Sequence, residues 1–215
     1  MPDPASLALF LAAALALAVT PGPGILYVAA RTLAGGRAEG LASTLGTGLG
    51  GLVHVLAGAI GVSALVLASA EAFTLLKLAG AAYLVWLGLR TIRDARRWAG
   101  GAEAALRDVA PTDAARAFRE GVLVEALNPK TAAFFLALVP QFVDPAAGDV
   151  APQFAALGAL SVALNTLVDG AVVLAAAGAR RGLARRPGLV RRLREASGVL
   201  MCGLGAALAL ARRPA

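Results

Sequence analysis

The sequence predicts an all-α integral membrane protein: six transmembrane helices in two inverted three-helix halves, with helices 1 and 4 broken. Three observations carry that expectation. Of the 215 residues, 59% are hydrophobic and only 15% charged, with a mean hydropathy of +0.75, whereas a soluble domain carries about 25% charged residues. Apolar runs near the roughly 17–25 residues that span a bilayer recur at about 4–30, 41–68, 72–90, 118–140, 151–178 and 196–211. Sixteen of the twenty Lys and Arg fall in the first, third and fifth connections between these runs. By the positive-inside rule those connections face the cytoplasm and both termini face away from it. The net charge of +7 therefore records membrane orientation and does not point to nucleic acid. The short alternating segments of a membrane β-barrel, about 10 residues each, do not occur.

Span one opens on "MPDPASLALFLAAALALAV". No Lys or Arg precedes its apolar run and Asp3 stands there, so it reads as a span and not as a cleaved signal peptide. It is then interrupted by "VTPGPGILY". Thr20 can cap a restarted helix, Pro21 can open it, and Gly22, Pro23 and Gly24 complete the break; the helix is expected to continue to about Ala34.

Span two places Gly46, Gly50, His54 and Gly58 at intervals of four, on one helix face. The glycines read as a packing stripe that lets a neighbouring helix approach. His54, the only histidine, either donates a hydrogen bond to a neighbour or carries a proton. Span three, with Tyr83 and Trp86, reads as packing. The polar connection at about 91–117 divides one transporter domain, 1–215, into halves of about 1–95 and 115–215. Three spans per half would set the second half upside down relative to the first.

Span four is broken at "LNPKTAAFFLALVPQ". Asn128 is suited to an N-cap and Pro129 to the first helical position, with a half-helix expected to about Val139. Two such helix starts sunk in the membrane and pointing in opposite directions would present unpaired N–H groups and partial positive charge to an anion. Lys130 would add a full charge, and Glu125 lies one turn upstream. Alternatively, the prolines only kink two helices. Span five stacks Ser161, Asn165 and Asp169 at intervals of four. A carboxylate there serves a relay, an ion or a substrate, or pairs with Lys130 or His54 to hold the bundle. Cys202 is the single cysteine and forms no disulfide or redox pair within the chain.

With these residues in place, the chain resembles the lysine exporter (LysE/RhtB) family of amino-acid efflux proteins over almost its whole length. The resemblance lies in "TPGP" followed by "ARTLAGGRAEGLASTLGTGLGGLVH", in "LLKLAGAAYLVWLGLRTIR" and in "NPKTAAFFLALVPQFVDP". It implies six helices, no enzymatic activity, no cofactor, and export of an amino acid or derivative from the cytoplasm across a bacterial inner membrane, driven by the proton gradient. It also implies that Pro21, Pro23, Asn128, Pro129 and Lys130 belong to the transport pathway. Gly24 and Glu125 depart from the family's usual polar residue and asparagine.

The expected substrate site is thus Thr20, Pro21, Gly22, Pro23, Gly24, Glu125, Asn128, Pro129 and Lys130, with His54, Asn165 and Asp169 as proton-coupling or polar-core residues. The expected partners are the small-molecule substrate, a proton and the lipid bilayer, with a homodimer left open. Export of metal cations or other small metabolites is the alternative. A metal exporter calls for several carboxylate, histidine or thiolate ligands, and Asp169, Glu125 and His54 are a thin set. A redox conduit would need paired thiols, which Cys202 alone cannot supply.

Overall fold

A computed structural model describes residues 3–68, 70–97, 110–178 and 187–210. Among these, every regular element is helical. Arg107, Arg180, Arg181, Arg185, Arg186, Arg212 and Arg213, which contribute to the orientation argument, lie outside the described residues.

Helix α1 (Pro4–Ala18) starts where Asp3 accepts from the N–H groups of Ala5 and Ser6 and Pro4 supplies the first helical residue. Helix α2 runs over Pro23–Gly35 and α3 over Arg37–Ala68. Gly36, between them, has φ +82°, a left-handed conformation that favours glycine and turns the chain sharply. Then come α4 (Ala70–Arg97), α5 (Ala114–Ala126), the short α6 (Pro129–Ala133), α7 (Val150–Gly178) and α8 (Pro187–Leu210). Helix α3 over Arg37–Gly61 and all of α7 are long and apolar enough to cross a bilayer. The pairs α1–α2 and α5–Phe142 each qualify as one broken span, bent by 50° and 41°. Helices α4 and α8 occupy the places of the expected third and sixth spans, and α8 begins nine residues earlier than its apolar run.

The breaks fall where the prolines put them, with three differences in detail. The helix after the first break starts at Pro23, not Pro21. Gly22 is its N-cap, in extended backbone at φ −131° and ψ −174°, because a residue preceding proline is driven out of the helical region. Thr20 does not cap α2; its hydroxyl donates backwards to the Ala16 carbonyl at 2.7 Å. The second break follows the expectation at its start: Pro129 is the first helical residue and Asn128 accepts from the Lys130 N–H at 3.0 Å. The helix does not continue regularly to Val139, however. It widens into a π turn over Phe134–Leu138 and tightens to 3-10 over Val139–Phe142. Pro140 has no N–H for the Leu136 carbonyl and its ring would collide with it, so the regular ladder cannot pass.

Helix α3 is the central strut, packed along α5 and α7, with α2 lying across α3 and α7. A second unit is the α4–α8 pair, joined to the rest chiefly through the π turn. Both seams are built from small residues. Gly46 and Gly50 of α3 face the Phe118 and Val122 carbonyls of α5, and Gly58 faces the Phe154 ring; in the second seam, Gly88 and Gly198 face each other's backbone. The glycine stripe of span two is therefore a packing surface, as its spacing predicts. A methyl group at Gly46 would overlap the Phe118 backbone, which cannot step aside like a side chain. Gly46→Ala is expected to lower stability by about 1–3 kcal/mol, read as a reduced unfolding midpoint of the purified protein in detergent.

Phe10, Phe134, Phe135 and Phe154 form the aromatic centre of the core, filled out by Leu17, Val55 and Leu157. Leu45, Leu56, Ile60, Leu167 and Leu174 stand exposed on the outside of α3 and α7. An apolar exterior of this kind suits lipid.

Candidate functional site

The two breaks meet inside the protein. Lys130 is buried, 5% exposed, and its ammonium reaches across to the end of α1. There Nζ donates to the Thr20 carbonyl at 2.9 Å and to the Leu17 carbonyl at 3.1 Å. The Thr20 carbonyl lies beyond the end of α1 at Ala18, and the Leu17 carbonyl accepts from the Thr20 N–H at 3.1 Å as well as from the ammonium. A cation there satisfies them and opposes the negative end of the helix dipole. The ammonium thus sits against carbonyl oxygens as well as beside the start of α2, where its stem lies against Gly22.

Glu125 is buried at the end of α5, and both of its carboxylate oxygens are engaged. Oε2 accepts from Asn128 Nδ2 at 2.9 Å and Oε1 from the Thr131 hydroxyl at 2.6 Å. A side chain at residue 24 would occupy the position of Glu125 Oε2, so the two departures from the family pattern, Gly24 and Glu125, are neighbours in space. The carboxylate fills the room that the glycine leaves. His54 Nε2 lies 2.9 Å from the Glu125 carbonyl oxygen and therefore carries the proton it donates. Its ring stacks on Phe135 at 5.9 Å between centroids. In this state His54 ties α3 to the end of α5.

Asp169 is wholly buried, 0% exposed. Its Oδ2 lies 3.0 Å from the Thr47 hydroxyl and 3.5 Å from Asn165 Nδ2, and Oδ1 has no hydrogen-bond partner among the described residues. A small cavity of about 20 Å³ is bordered by Thr47, Glu125, Thr131, Ser161 and Asn165, room for about one water. It links the Glu125 network to the residues that contact Asp169.

A larger cleft of about 380 Å³ opens on the other side of the breaks. Pro21, Gly22 and Pro23 from the first break and Pro129 and Lys130 from the second form one wall, and residues of α4 and α8 form the other. The structure thus brings Pro21, Gly22, Pro23, Pro129 and Lys130 to one open space. Thr20, Gly24, Glu125 and Asn128 lie directly behind them, with His54 on Glu125. Asp169 and Asn165 belong to the inner network and do not line the cleft.

One cluster has no counterpart in the sequence reading. Arg31 Nη2 pairs with Glu120 Oε2 at 2.7 Å, Arg116 Nε pairs with Glu120 Oε1 at 2.8 Å, and Arg31 Nη1 donates to the Ala110 carbonyl at 3.1 Å. Glu39 accepts from the Thr112 N–H at 2.8 Å, and the Tyr27 hydroxyl lies 2.8 Å from the Ala117 carbonyl. These contacts fasten the 27–39 segment to residues 110–120. The available signal was a pair of carboxylates, Glu39 and Glu120, at the edges of apolar runs in a chain with few of them.

Comparison with known proteins agrees with this architecture. Residues 15–212 match the family described as LysE type translocator. An uncharacterized membrane protein of Vibrio cholerae is 34% identical over 94% of this chain and 96% of its own length. A homoserine/homoserine lactone efflux protein of Salmonella typhimurium is 33% identical over 91% of this chain and 92% of its own. A threonine efflux protein of Escherichia coli is 29% identical over 90% and 92% respectively. No solved structure matches the chain. A multi-pass helical protein with two proline-broken helices meeting at a buried lysine, and a family match across nearly all its length, the chain belongs to the LysE type translocators.

Proposed function

We propose that this translocator is a secondary active exporter of amino acids or amino-acid derivatives, coupled to protons, in the bacterial inner membrane. The observation that carries the reading is the cleft of about 380 Å³ walled by both helix breaks. Its volume falls within the roughly 300–1,000 Å³ of small-molecule sites. The efflux activity in the names of the Salmonella and E. coli relatives supports the substrate class.

In this reading six helices cross the membrane, the two halves are inverted repeats, and both termini lie on the non-cytoplasmic side. The substrate site comprises Thr20, Pro21, Gly22, Pro23, Gly24, Glu125, Asn128, Pro129 and Lys130. A substrate carboxylate entering the cleft competes with the Leu17 and Thr20 carbonyls for the Lys130 ammonium. Drawing the ammonium away frees the end of α1 and changes the bend at the first break. Substrate binding then favours a second arrangement of the halves by its differential affinity for that arrangement. The Arg31–Glu120 ion pair must part for the halves to rock.

Proton coupling is assigned to Asp169, with Asn165 and His54 in support. The Thr47 hydroxyl has one proton and lies 2.9 Å from the Thr44 carbonyl and 3.0 Å from Asp169 Oδ2. Both contacts become hydrogen bonds at once only when Asp169 supplies a proton of its own. A growth and efflux panel of the twenty amino acids and their toxic analogues, in cells with and without the protein, tests the function. Expression is expected to raise tolerance to a small chemically related group and to increase its efflux. An unchanged response to every compound would falsify the amino-acid reading.

A further inference from the structure

The far end of the cleft carries a charge pair that the export reading leaves unused. Arg90 and Asp94 lie one turn apart on α4 and both line the cavity, facing the breaks across it. Their ion pair is loose, with Arg90 Nε 3.6 Å from Asp94 Oδ2 and the two side chains 60% and 55% exposed. Such an exposed pair contributes little to stability, so its two charges are available to another ion pair. The Arg90 guanidinium also rests over the Trp86 ring, 5.4 Å from its centroid, which restricts where the fork can point. Leu26, Leu87 and Met201 are the large apolar side chains lining the same cavity. Asp94 is the only carboxylate among the described residues that line the cleft.

We propose that Arg90 and Asp94 form a loading subsite for the zwitterion of a neutral α-amino acid. Arg90 takes the carboxylate, Asp94 takes the ammonium, and the side chain lies on Leu26, Leu87 and Met201. A free amino acid carries opposite charges on one carbon and fits between two opposite charges one helical turn apart. The planar guanidinium pairs with a carboxylate through two parallel N–H donors. A side-chain ammonium, as in lysine, finds no second carboxylate among the described residues of the cleft and meets Lys130 instead, so basic amino acids are disfavoured. The subsite lies at the C-terminal end of α4, the end facing the cytoplasm in the proposed orientation. Substrate is therefore sorted there before it reaches the Lys130 ammonium. The inference rests on the amino-acid export reading and adds to it the recognition of both backbone charges.

The test uses the full-length protein in proteoliposomes, with exchange of L-homoserine, L-homoserine lactone, L-threonine, L-threonine methyl ester and L-lysine. The lactone and the ester keep the ammonium but lack the carboxylate. Arg90→Gln is expected to slow exchange of free homoserine and threonine at least tenfold and that of the lactone and ester less than threefold. Asp94→Asn is expected to slow all four at least tenfold. L-lysine should compete at least tenfold more weakly than threonine. The swap Arg90→Asp with Asp94→Arg restores an ion pair on the same face without restoring the substrate's orientation, so exchange should stay low. Equal effects of Arg90→Gln on acids and esters, no effect at all, or recovery of wild-type exchange by the swap would each overturn the subsite. A wild-type protein that moves none of these five compounds and none of the twenty amino acids would overturn the export reading itself, and the subsite with it.

Discussion

Lys130→Ala is expected to abolish export while leaving the protein inserted in the membrane. The ammonium holds the Leu17 and Thr20 carbonyls at 3.1 and 2.9 Å, just where α1 ends at Ala18. Removing it leaves the Thr20 carbonyl unmet in a buried break, at about 1–3 kcal/mol, and leaves the Leu17 carbonyl with the Thr20 N–H alone. It also removes the one cation in the wall of the cleft contributed by the breaks. A loss of about 3 kcal/mol of stabilisation in the transport transition state corresponds to about a 100-fold lower rate. Lys130→Met separates loss of packing from loss of the ammonium, since it keeps the stem packed on Gly22 and deletes the charge together with its hydrogen bonds. Both variants should fall to background in efflux from loaded vesicles at matched protein amounts. Efflux at the wild-type rate in Lys130→Met would dispose of a role for the ammonium.

Asp169→Asn is expected to disconnect transport from the proton gradient. The amide keeps the shape of the acid and can still meet Thr47, but it cannot take up and release a proton near neutral pH. Asp169 is 0% exposed and its Oδ1 has no hydrogen-bond partner among the described residues, so the substitution disturbs few other contacts. Accumulation of substrate driven by an imposed pH gradient should vanish, while exchange of labelled for unlabelled substrate across the same vesicles should persist. If gradient-driven accumulation survived, Asp169 would be a structural partner of Thr47 and Asn165, and the coupling proton would have to be sought elsewhere.

The membrane class is legible in composition alone, because burial in lipid is a sum over residues and 59% hydrophobic with 15% charged residues leaves no polar cover for a soluble domain. The sequence by itself also determined where two helices break. Proline lacks the N–H and fixes φ wherever it stands, and Asn128 caps through its own side chain two residues ahead, so these are local consequences of a few neighbouring residues. The restart at Pro23 in place of Pro21 was legible in principle, since proline also constrains the residue before it. The π turn before Pro140 was signalled by the same chemistry.

Tertiary structure alone decided what fills the breaks. The Lys130 ammonium finds its acceptors 110 and 113 residues away, Glu125 occupies the space beside Gly24, and Arg31 meets Glu120 across 89 residues. Spacing along one helix can show that a charge lies on a certain face. It cannot show which carbonyl or carboxylate that face will meet, because this depends on how the helices cross and on bends of 50° and 41° at the breaks. Arg90 and Asp94 make the same point: in the sequence Arg90 counts only toward the membrane orientation, and in the fold both line the cleft opposite the breaks. A charge in a membrane protein must be satisfied by whatever packing brings within hydrogen-bonding reach, and packing is a property of the assembled helices.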